Sequence, residues 1–312
     1  MKILVTGGMG YIGSNLIKRL EKDNHAITIL DNLSTSLKGG QTQHELVCAD
    51  ITNYELLKAS FEGRVFDVVL HLAAQSSGPA SFKDPELDLR INILGTLNII
   101  RLCDHLKIPR ILFASSFTVY GDNLTHEMLS ESLPCEPKSL YGVGKLTGEQ
   151  YLKVYAEKLG ISWNALRMFN VYGPGQDLSR KDQGIVSIFL GYVREGDYIP
   201  LQGKVERFRD LVYIDDVVSA WVLCLEKNIP NQIFNVGSGS KTTIKELIES
   251  IADLHKKNVT IEVVGSTPGD IMGCYADISK SRDLLGYNPQ YQLKSGLAHF
   301  KNWADQTFGE VV

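Results

Sequence analysis

Short aliphatic runs alternate, through the first half of the chain, with segments whose apolar residues recur every three or four positions. Ile3-Leu4-Val5 is a β-branched and aliphatic run, as expected of a parallel strand buried on both faces. A helical segment follows to about Asp23, with apolar residues at Ile12, Leu16, Ile17 and Leu20. Residues 26–30, 45–50, 67–72 and 110–115 repeat the strand pattern. Residues 85–106 carry Leu89, Ile93, Leu97, Ile100 and Leu102 on a long helical stretch, and 142–159 reads as another helix. Strands alternating with helices predict an α/β fold, a doubly wound parallel sheet with helices on both faces.

Beyond Asn170 the pattern loosens. Residues 171–176 form a turn-rich exit, 184–193 a helix, and 198–203 a short strand and turn. Residues 233–236 read as a strand returning to the main fold, Thr242 to Glu246 as a capping-box helix start, and 293–308 as an amphipathic helix. The expected division is a cofactor-binding domain over 1–168 with a returning segment at about 209–236. A smaller α/β substrate lobe would take 169–208 and 237–312.

Composition narrows the function classes. The 312 residues are 44% hydrophobic and 22% charged, which suits one large soluble domain or two intimate ones. A net charge of -4 argues against nucleic acid or an anionic membrane as the main partner. Five scattered cysteines (Cys48, Cys103, Cys135, Cys224 and Cys274) form no CxxC or Cys/His cluster, so no metal site is expected and the thiols read as reduced. The chain opens directly on a strand, and no apolar run approaches the roughly 20 residues of a membrane helix. A cytoplasmic location is expected.

The candidate chemistry begins after the first strand. In Thr6-Gly-Gly-Met-Gly-Tyr-Ile-Gly13, Gly8, Gly10 and Gly13 fit GxGxxG, while Gly7, Gly10 and Gly13 fit GxxGxxG. Placed between strand and helix, such glycines allow a tight turn and close approach to a pyrophosphate at the helix N-terminus. Asp31 ends the next strand, about 20 residues on, where a carboxylate holds the ribose hydroxyls of NAD. Its charge repels the extra phosphate of NADP and no arginine follows, so NAD is the expected cofactor. Asp50 reads equally as an adenine contact or a helix N-cap. Ala73-Ala74 lets backbone approach the cofactor, and His71, inside an apolar strand, reads as a core residue.

Tyr141 and Lys145 lie four residues apart and share a helix face. An ammonium there lowers the phenol pKa from its usual value of about 10, so that Tyr141 exchanges a proton with a sugar hydroxyl. Ser116, at the end of the strand over 110–115, is placed to hold that hydroxyl. Lys204, Arg207 and Arg209 form a basic cluster that reads as a phosphate pocket.

These stretches, with Asp31-Asn32-Leu33, Ala49-Asp50-Ile51, His71-Leu-Ala-Ala-Gln75, Asn92-Ile-Leu-Gly-Thr96, Ser115-Ser116-Phe117-Thr118-Val119-Tyr120-Gly121, Leu166-Arg-Met-Phe-Asn170 and Arg209-Asp-Leu-Val-Tyr-Ile-Asp-Asp216, resemble the extended short-chain dehydrogenases that modify nucleotide-activated sugars. They are most similar to the NAD-dependent 4-epimerases of the UDP-glucose 4-epimerase type, and the resemblance covers nearly the whole chain. It implies a Rossmann fold, Tyr141 as acid/base, Lys145 as its electrostatic partner and nicotinamide-ribose ligand, and Ser116 as substrate-orienting hydroxyl. Cofactor contacts are implied for Gly7, Gly10, Tyr11, Ile12 and Gly13, for Asp31, Asn32, Leu33 and Ser34, and for Asp50 and Ile51. Others are implied for Leu72, Ala73, Ala74 and Gln75, and for Asn92, Ser115 and Phe169. Asn170 and Arg209 are implied on the diphosphate side of the sugar nucleotide, and Leu201 and Gln202 at its base.

The reaction implied is inversion of a nucleotide sugar at C4 through a 4-keto intermediate, with a UDP-hexose favoured and GDP- or dTDP-hexoses as alternatives. Net oxidation or reduction of the sugar and a non-catalytic NAD-binding regulator are the alternative functions. Where related dehydratases carry an Asp-Glu pair, this chain has Phe117-Thr118, so dehydration is not expected. It also lacks the arginine usual before the C-terminal Gly-Asp, reading Gly265-Ser-Thr-Pro-Gly-Asp270 with Thr267 or Pro268 at that place. Lys204 or Arg207 is the expected substitute. A homodimer joined by the helices at about 88–106 and 143–159 is also implied.

Overall fold

The computed structural model describes residues 1–36, 41–122, 127–266 and 269–309. Its main sheet has seven strands, all parallel: β1 (Lys2–Thr6), β2 (Ala26–Asp31), β3 (Glu45–Cys48), β4 (Val68–His71), β5 (Arg110–Ser116), β6 (Ser162–Met168) and a late strand, Gln232–Val236. The order across the sheet is β3-β2-β1-β4-β5-β6 and then the late strand. It is the doubly wound Rossmann arrangement. The strand expected at 233–236 pairs with β6, Phe234 lying opposite Leu166.

Strand residues alternate between two apolar cores. Ile3, Val5, Val68, Leu70, Leu112 and Ala114 face one, while Leu4, Val69, Ile111 and Phe113 face the other. The first core is closed by α1 (Tyr11–Leu20) and the second by α2 (Tyr54–Phe61). The helical stretch expected over 85–106 comprises α4 (Pro85–Leu89), a π-helical turn (Arg90–Gly95) and α5 (Thr96–Leu106), preceded by the short α3 (Gly78–Lys83). The next helix, α6 (Leu140–Tyr151), starts two residues before the expected boundary because Ser139 caps it, accepting the Gly142 N–H at 3.1 Å. A second π turn, Leu152–Ala156, continues it.

The second half begins with β7 (Asn170–Tyr172), α7 (Ile185–Glu195) and β8 (Tyr198–Gln202). Next come β9 (Phe208–Arg209), β10 (Leu211–Tyr213) and α8 (Ile214–Lys227), the last packing on the α1 face of the main sheet. The late sheet strand is β11, followed by β12 (Thr242–Thr243), α9 (Ile244–His255), β13 (Thr260–Gly265), α10 (Ser279–Leu285) and α11 (Leu293–Phe308). Three two-stranded pairings, β7 with β10, β8 with β13 and β9 with β12, lie outside the main sheet. The capping box expected at Thr243 and Glu246 is present.

Helix α6 lies against β5 with no space between them at Gly148. A Cβ there would meet the Phe113 ring at 2.6 Å. Gly148→Ala should therefore destabilise the fold by about 1–3 kcal/mol despite its better helix propensity. Denaturant unfolding of the two proteins checks this; equal or greater stability in the variant would contradict the packing.

Candidate active site

The parallel strands present their carboxyl ends along one edge, and strand order reverses between β1 and β4. An open α/β sheet offers its binding crevice at such a point. Gly7 leaves β1 with φ of 69°, and a Cβ there would sit 2.6 Å from the Ala73 nitrogen, so the two chain segments meet backbone to backbone. Gly13 is similarly constrained: its Cβ would lie 2.3 Å from the Gly7 carbonyl oxygen. Helix α1 begins at Gly10 with no side-chain cap and no acid in its first turn, leaving backbone N–H groups for an anion.

Asp31 braces this loop. Its carboxylate accepts the Met9 N–H at 2.9 Å and the Leu33 N–H at 2.8 Å. Across the crevice, His71 is buried between Thr6 (2.7 Å) and Thr96 (3.2 Å), as expected of a core residue. Burial holds its pKa down to about 3, with the Lys145 charge acting in the same direction. Thr6 accepts the Ala73 N–H at 3.1 Å and Thr96 donates to the Asn92 carbonyl at 2.7 Å, so the neutral ring completes a chain of hydrogen bonds from β1 to the π turn.

A cavity of about 1410 Å³ opens along this edge. Its wall includes Gly7, Gly10, Tyr11, Ile12 and Gly13, then Asp31, Asn32, Ser34, Asp50 and Ile51, and finally Leu72, Ala73, Ala74, Tyr141 and Lys145. The bare backbone cradle, the uncapped helix and the acid at the end of β2 fit a dinucleotide. Asp50 also accepts the Thr52 N–H at 2.8 Å, while Asn53 caps α2. Leu33, Gln75, Asn92, Ser115, Ser116 and Phe169 lie off the cavity wall.

Several of these off-wall residues pair with buried polar or aromatic side chains instead. Ser115 donates to Glu149, which pairs with Arg167 at 2.7 and 2.9 Å in a fully buried ion pair. Gln75 and Asn92 both donate to Asp88. Phe169 stacks on Phe117 at 5.6 Å between ring centroids.

Tyr141 occupies the first turn of α6, and Lys145 follows one turn later with its Nζ 5.8 Å from the Tyr141 ring centre and 4.9 Å from that of Phe113. Ser116, at the end of β5, accepts the Thr118 N–H (3.3 Å) and hydroxyl (3.0 Å). The expectation that the ammonium lowers the phenol pKa is corrected here. Burial dominates and pushes Tyr141 up to about 12, against a hydrogen bond with Ser116 that favours the phenolate. Burial likewise pulls Lys145 down to about 7, against the charges of Asp88 and Glu149.

Away from the cavity wall, Arg209 contacts one oxygen of Asp270 at 2.7 Å and Arg207 the other. Burial, then the neighbouring Arg209, lowers the Arg207 pKa to about 10. Arg207 also donates to the Gln202 carbonyl. Asn170 donates to the Asp210 carbonyl at 3.2 Å, and Leu201 is packed in the core. Thr267 and Pro268 lie outside the described residues.

Sequence reasoning missed the segment before α7. Pro174, Gly175, Gln176, Arg180 and Gln183 line the cavity, and Gln183 is tied across to Ser76 by a 2.5 Å hydrogen bond. Its turn-rich composition was visible, but not the side of the site it would cover. Trp303 and Phe308 of the amphipathic helix α11 also reach the wall.

A glycine cradle on a doubly wound sheet, facing a half-buried tyrosine and a buried lysine one helical turn apart, defines a short-chain dehydrogenase type of dinucleotide enzyme. The chain belongs to the NAD-dependent epimerase/dehydratase family, whose model matches residues 3–237 and whose cofactor is NAD. It is 34% identical over 307 residues to the UDP-glucose 4-epimerase of Mycolicibacterium smegmatis, covering 96% of each chain. It is 32% identical over 310 residues to UDP-glucuronic acid decarboxylase 3 of Arabidopsis thaliana, covering 95% of this chain and 87% of that one. Among solved structures, the Thermotoga maritima UDP-glucose 4-epimerase with UDP-glucose superimposes with a TM-score of 0.94 at 31% identity, covering 98% of this chain and 99% of that one. The Thermus thermophilus UDP-glucose 4-epimerase with NAD gives 0.88 at 32%, covering 96% and 99%. Among the described residues, no helix is long and apolar enough to cross a membrane.

The low Lys145 pKa has a consequence for stability. Between about 7 in the folded protein and 10.5 for the free side chain, the unfolded chain binds the extra proton, so stability rises with pH across that window. Below pH 7 the folded state carries the full cost of a buried ammonium. In protein stripped of dinucleotide, Lys145→Met should therefore be stabilising by on the order of 5 kcal/mol below pH 7 and by little above pH 10.5. Thermal unfolding at both ends of the range checks this; a pH-independent difference would contradict it.

Proposed function

We propose that this protein is an NAD-dependent epimerase that inverts C4 of a nucleotide-activated sugar. The observation that carries the reading is the placement of Tyr141 and Lys145 on the wall of the same cavity as the glycine cradle. NAD, when bound, supplies an acceptor and then a donor of the C4 hydride. Gly7, Gly10 and Gly13 would hold its pyrophosphate and Asp31 its adenosine ribose. Tyr141 takes the proton of the C4 hydroxyl as the carbonyl forms, and returns it when the hydride comes back on the other face of the 4-keto sugar. Ser116 orients the reacting oxygen. Lys145, one turn along α6, would hold the nicotinamide ribose beside Tyr141.

The diphosphate falls to Arg209 and Asn170, with Arg207 as the cation closest to the Gly-Asp segment. Phe117-Thr118 offers no carboxylate for water elimination, so dehydration is disfavoured. UDP-sugars are favoured as substrates by the ligands of the related structures. The similarity to a UDP-glucuronic acid decarboxylase makes a decarboxylated product the second outcome to assay.

The decisive experiment incubates the purified protein, with no added NAD, with UDP-, GDP-, dTDP- and CDP-hexoses and with UDP-glucuronic acid. Sugar products and nicotinamide absorbance are followed together. An inverted sugar without net NADH is expected; stoichiometric NADH or a released keto sugar would make the protein a dehydrogenase instead. Tyr141→Phe should lower kcat by about 10²–10⁴-fold while NAD stays bound. Undiminished turnover would remove Tyr141 from the mechanism.

A homodimer is part of the same proposal. Leu87, Leu89, Val143, Tyr151 and Val154 are exposed on and beside α4 and α6, an apolar surface suited to a four-helix contact. Light scattering should give twice the chain mass, and the double variant Leu89→Glu, Val154→Glu should give a monomer. A monomeric wild type would overturn it.

A further inference from the structure

Asp88 is a buried carboxylate, 2% exposed, for which the mechanism above has no use. Its surroundings are specific. The side-chain amides of Gln75 (2.7 Å) and Asn92 (2.9 Å) both donate to the same oxygen, Oδ1. Asn92 also donates to the Gln75 carbonyl at 3.0 Å, and Gln75 to the Ser77 carbonyl at 2.9 Å, so each amide is fixed at more than one point. The second oxygen, Oδ2, lies toward α6, where a Cβ on Gly144 would meet it at 3.6 Å. Gly144 directly precedes Lys145. No cation ion-pairs with Asp88 among the described residues. Its charge is therefore held by neutral donors and presented to the helix that carries Tyr141 and Lys145.

We propose that Asp88, clamped by Gln75 and Asn92, is a positioning residue that keeps the buried Lys145 ammonium charged and so sets the pH range in which Tyr141 works. The inference rests on the Tyr141–Lys145 pair being the working pair of the proposed reaction. Other groups around Lys145 are poorly suited to this task. Glu149, one turn further along α6, is occupied by Arg167 and Ser115. His71, from β4, is neutral and carries no balancing charge. Phe113, from β5, offers only the face of its ring, and Tyr141, whose pKa burial raises, carries no negative charge until it has given up its proton to become the base.

The Asp88 charge raises both the Lys145 and the Tyr141 pKa, opposing burial at the first and adding to it at the second. Removing it should ease proton loss from both groups and move the whole activity profile toward acid. This explains a use for Gln75 and Asn92 that needs no contact with the cofactor.

Asp88→Asn is close to isosteric and keeps an oxygen for both amide donors. The test reads Lys145 directly, by 13C NMR of protein with its usual cofactor content and with lysine labelled at Cε, the Lys145 signal being assigned with Lys145→Met. The Lys145 titration midpoint should fall by about one unit or more in Asp88→Asn and stay near the wild-type value in Asp88→Glu. The kcat/KM profile of Asp88→Asn should shift to lower pH with it. An unchanged midpoint would overturn the proposal, as would an equal fall in Asp88→Glu. Should thermal melting show that Asp88→Asn does not fold, Asp88→Ser removes the same charge and takes its place. Failure to turn over any nucleotide sugar would sink the proposed function but leave the NMR result standing. An unchanged midpoint in an active epimerase would sink only the role of Asp88.

Discussion

The contact on which the site depends is that of Gly7 with Ala73, where the first and fourth strands leave the sheet in opposite topological directions. Parallel strands buried on both faces can open only at their ends, and at this end the two backbones touch. A side chain at residue 7 would force them apart, so the crevice owes its depth to a missing Cβ. The hydrogen-bond chain through Thr6, His71 and Thr96 fixes the same junction from beneath. It requires a neutral imidazole, and burial ensures one. The histidine is a structural strut for the crevice.

The second constraint is electrostatic. A phenol and an amine sharing a buried helix turn would both prefer to be neutral, one by keeping its proton and the other by losing it. The fold opposes the amine's tendency with Asp88 on α4 and Glu149 on α6 itself, and keeps Glu149 paired with Arg167. The arrangement resists the simple picture of an ammonium depressing a nearby phenol pKa. A charge on Lys145 is therefore not free, and even with the two carboxylates opposing it burial brings the Lys145 pKa down to about 7.

What was legible in the sequence divides along the same line. Strands such as Ile3-Leu4-Val5 announce themselves because a strand buried on both faces is mostly apolar, and β11 was recognisable as a returning strand from Ile233, Phe234 and Val236 despite its buried Asn235. The glycines and Asp31 were legible because backbone approach admits few residue types. The segment around Gln183 and the wall formed by Trp303 and Phe308 were not, because turns and amphipathic helices specify solvent-facing and core-facing sides without naming what lies opposite. Gln75 and Asn92 were visible as polar residues at the site, but their common partner Asp88 is 13 positions from one and four from the other. Such a partnership becomes apparent only once a strand end and a helix are brought together in space.

The basic cluster gives a different lesson about substitution. The resemblance predicts an arginine before Gly269-Asp270, and the chain has none there. Asp270 nevertheless receives two guanidinium groups, those of Arg207 and Arg209, from strand β9 and the turn before it. One carboxylate shared by two nearly buried cations leaves their local pairing incomplete, and their mutual repulsion contributes to the lowered Arg207 pKa. A phosphate group arriving beside them would relieve that repulsion while meeting donors already held in place by Asp270 and the Gln202 carbonyl. The loss of one arginine from one segment is thus compatible with an intact anion site, because what such a site conserves is positive charge and donor geometry. The chain position that supplies them is free to move.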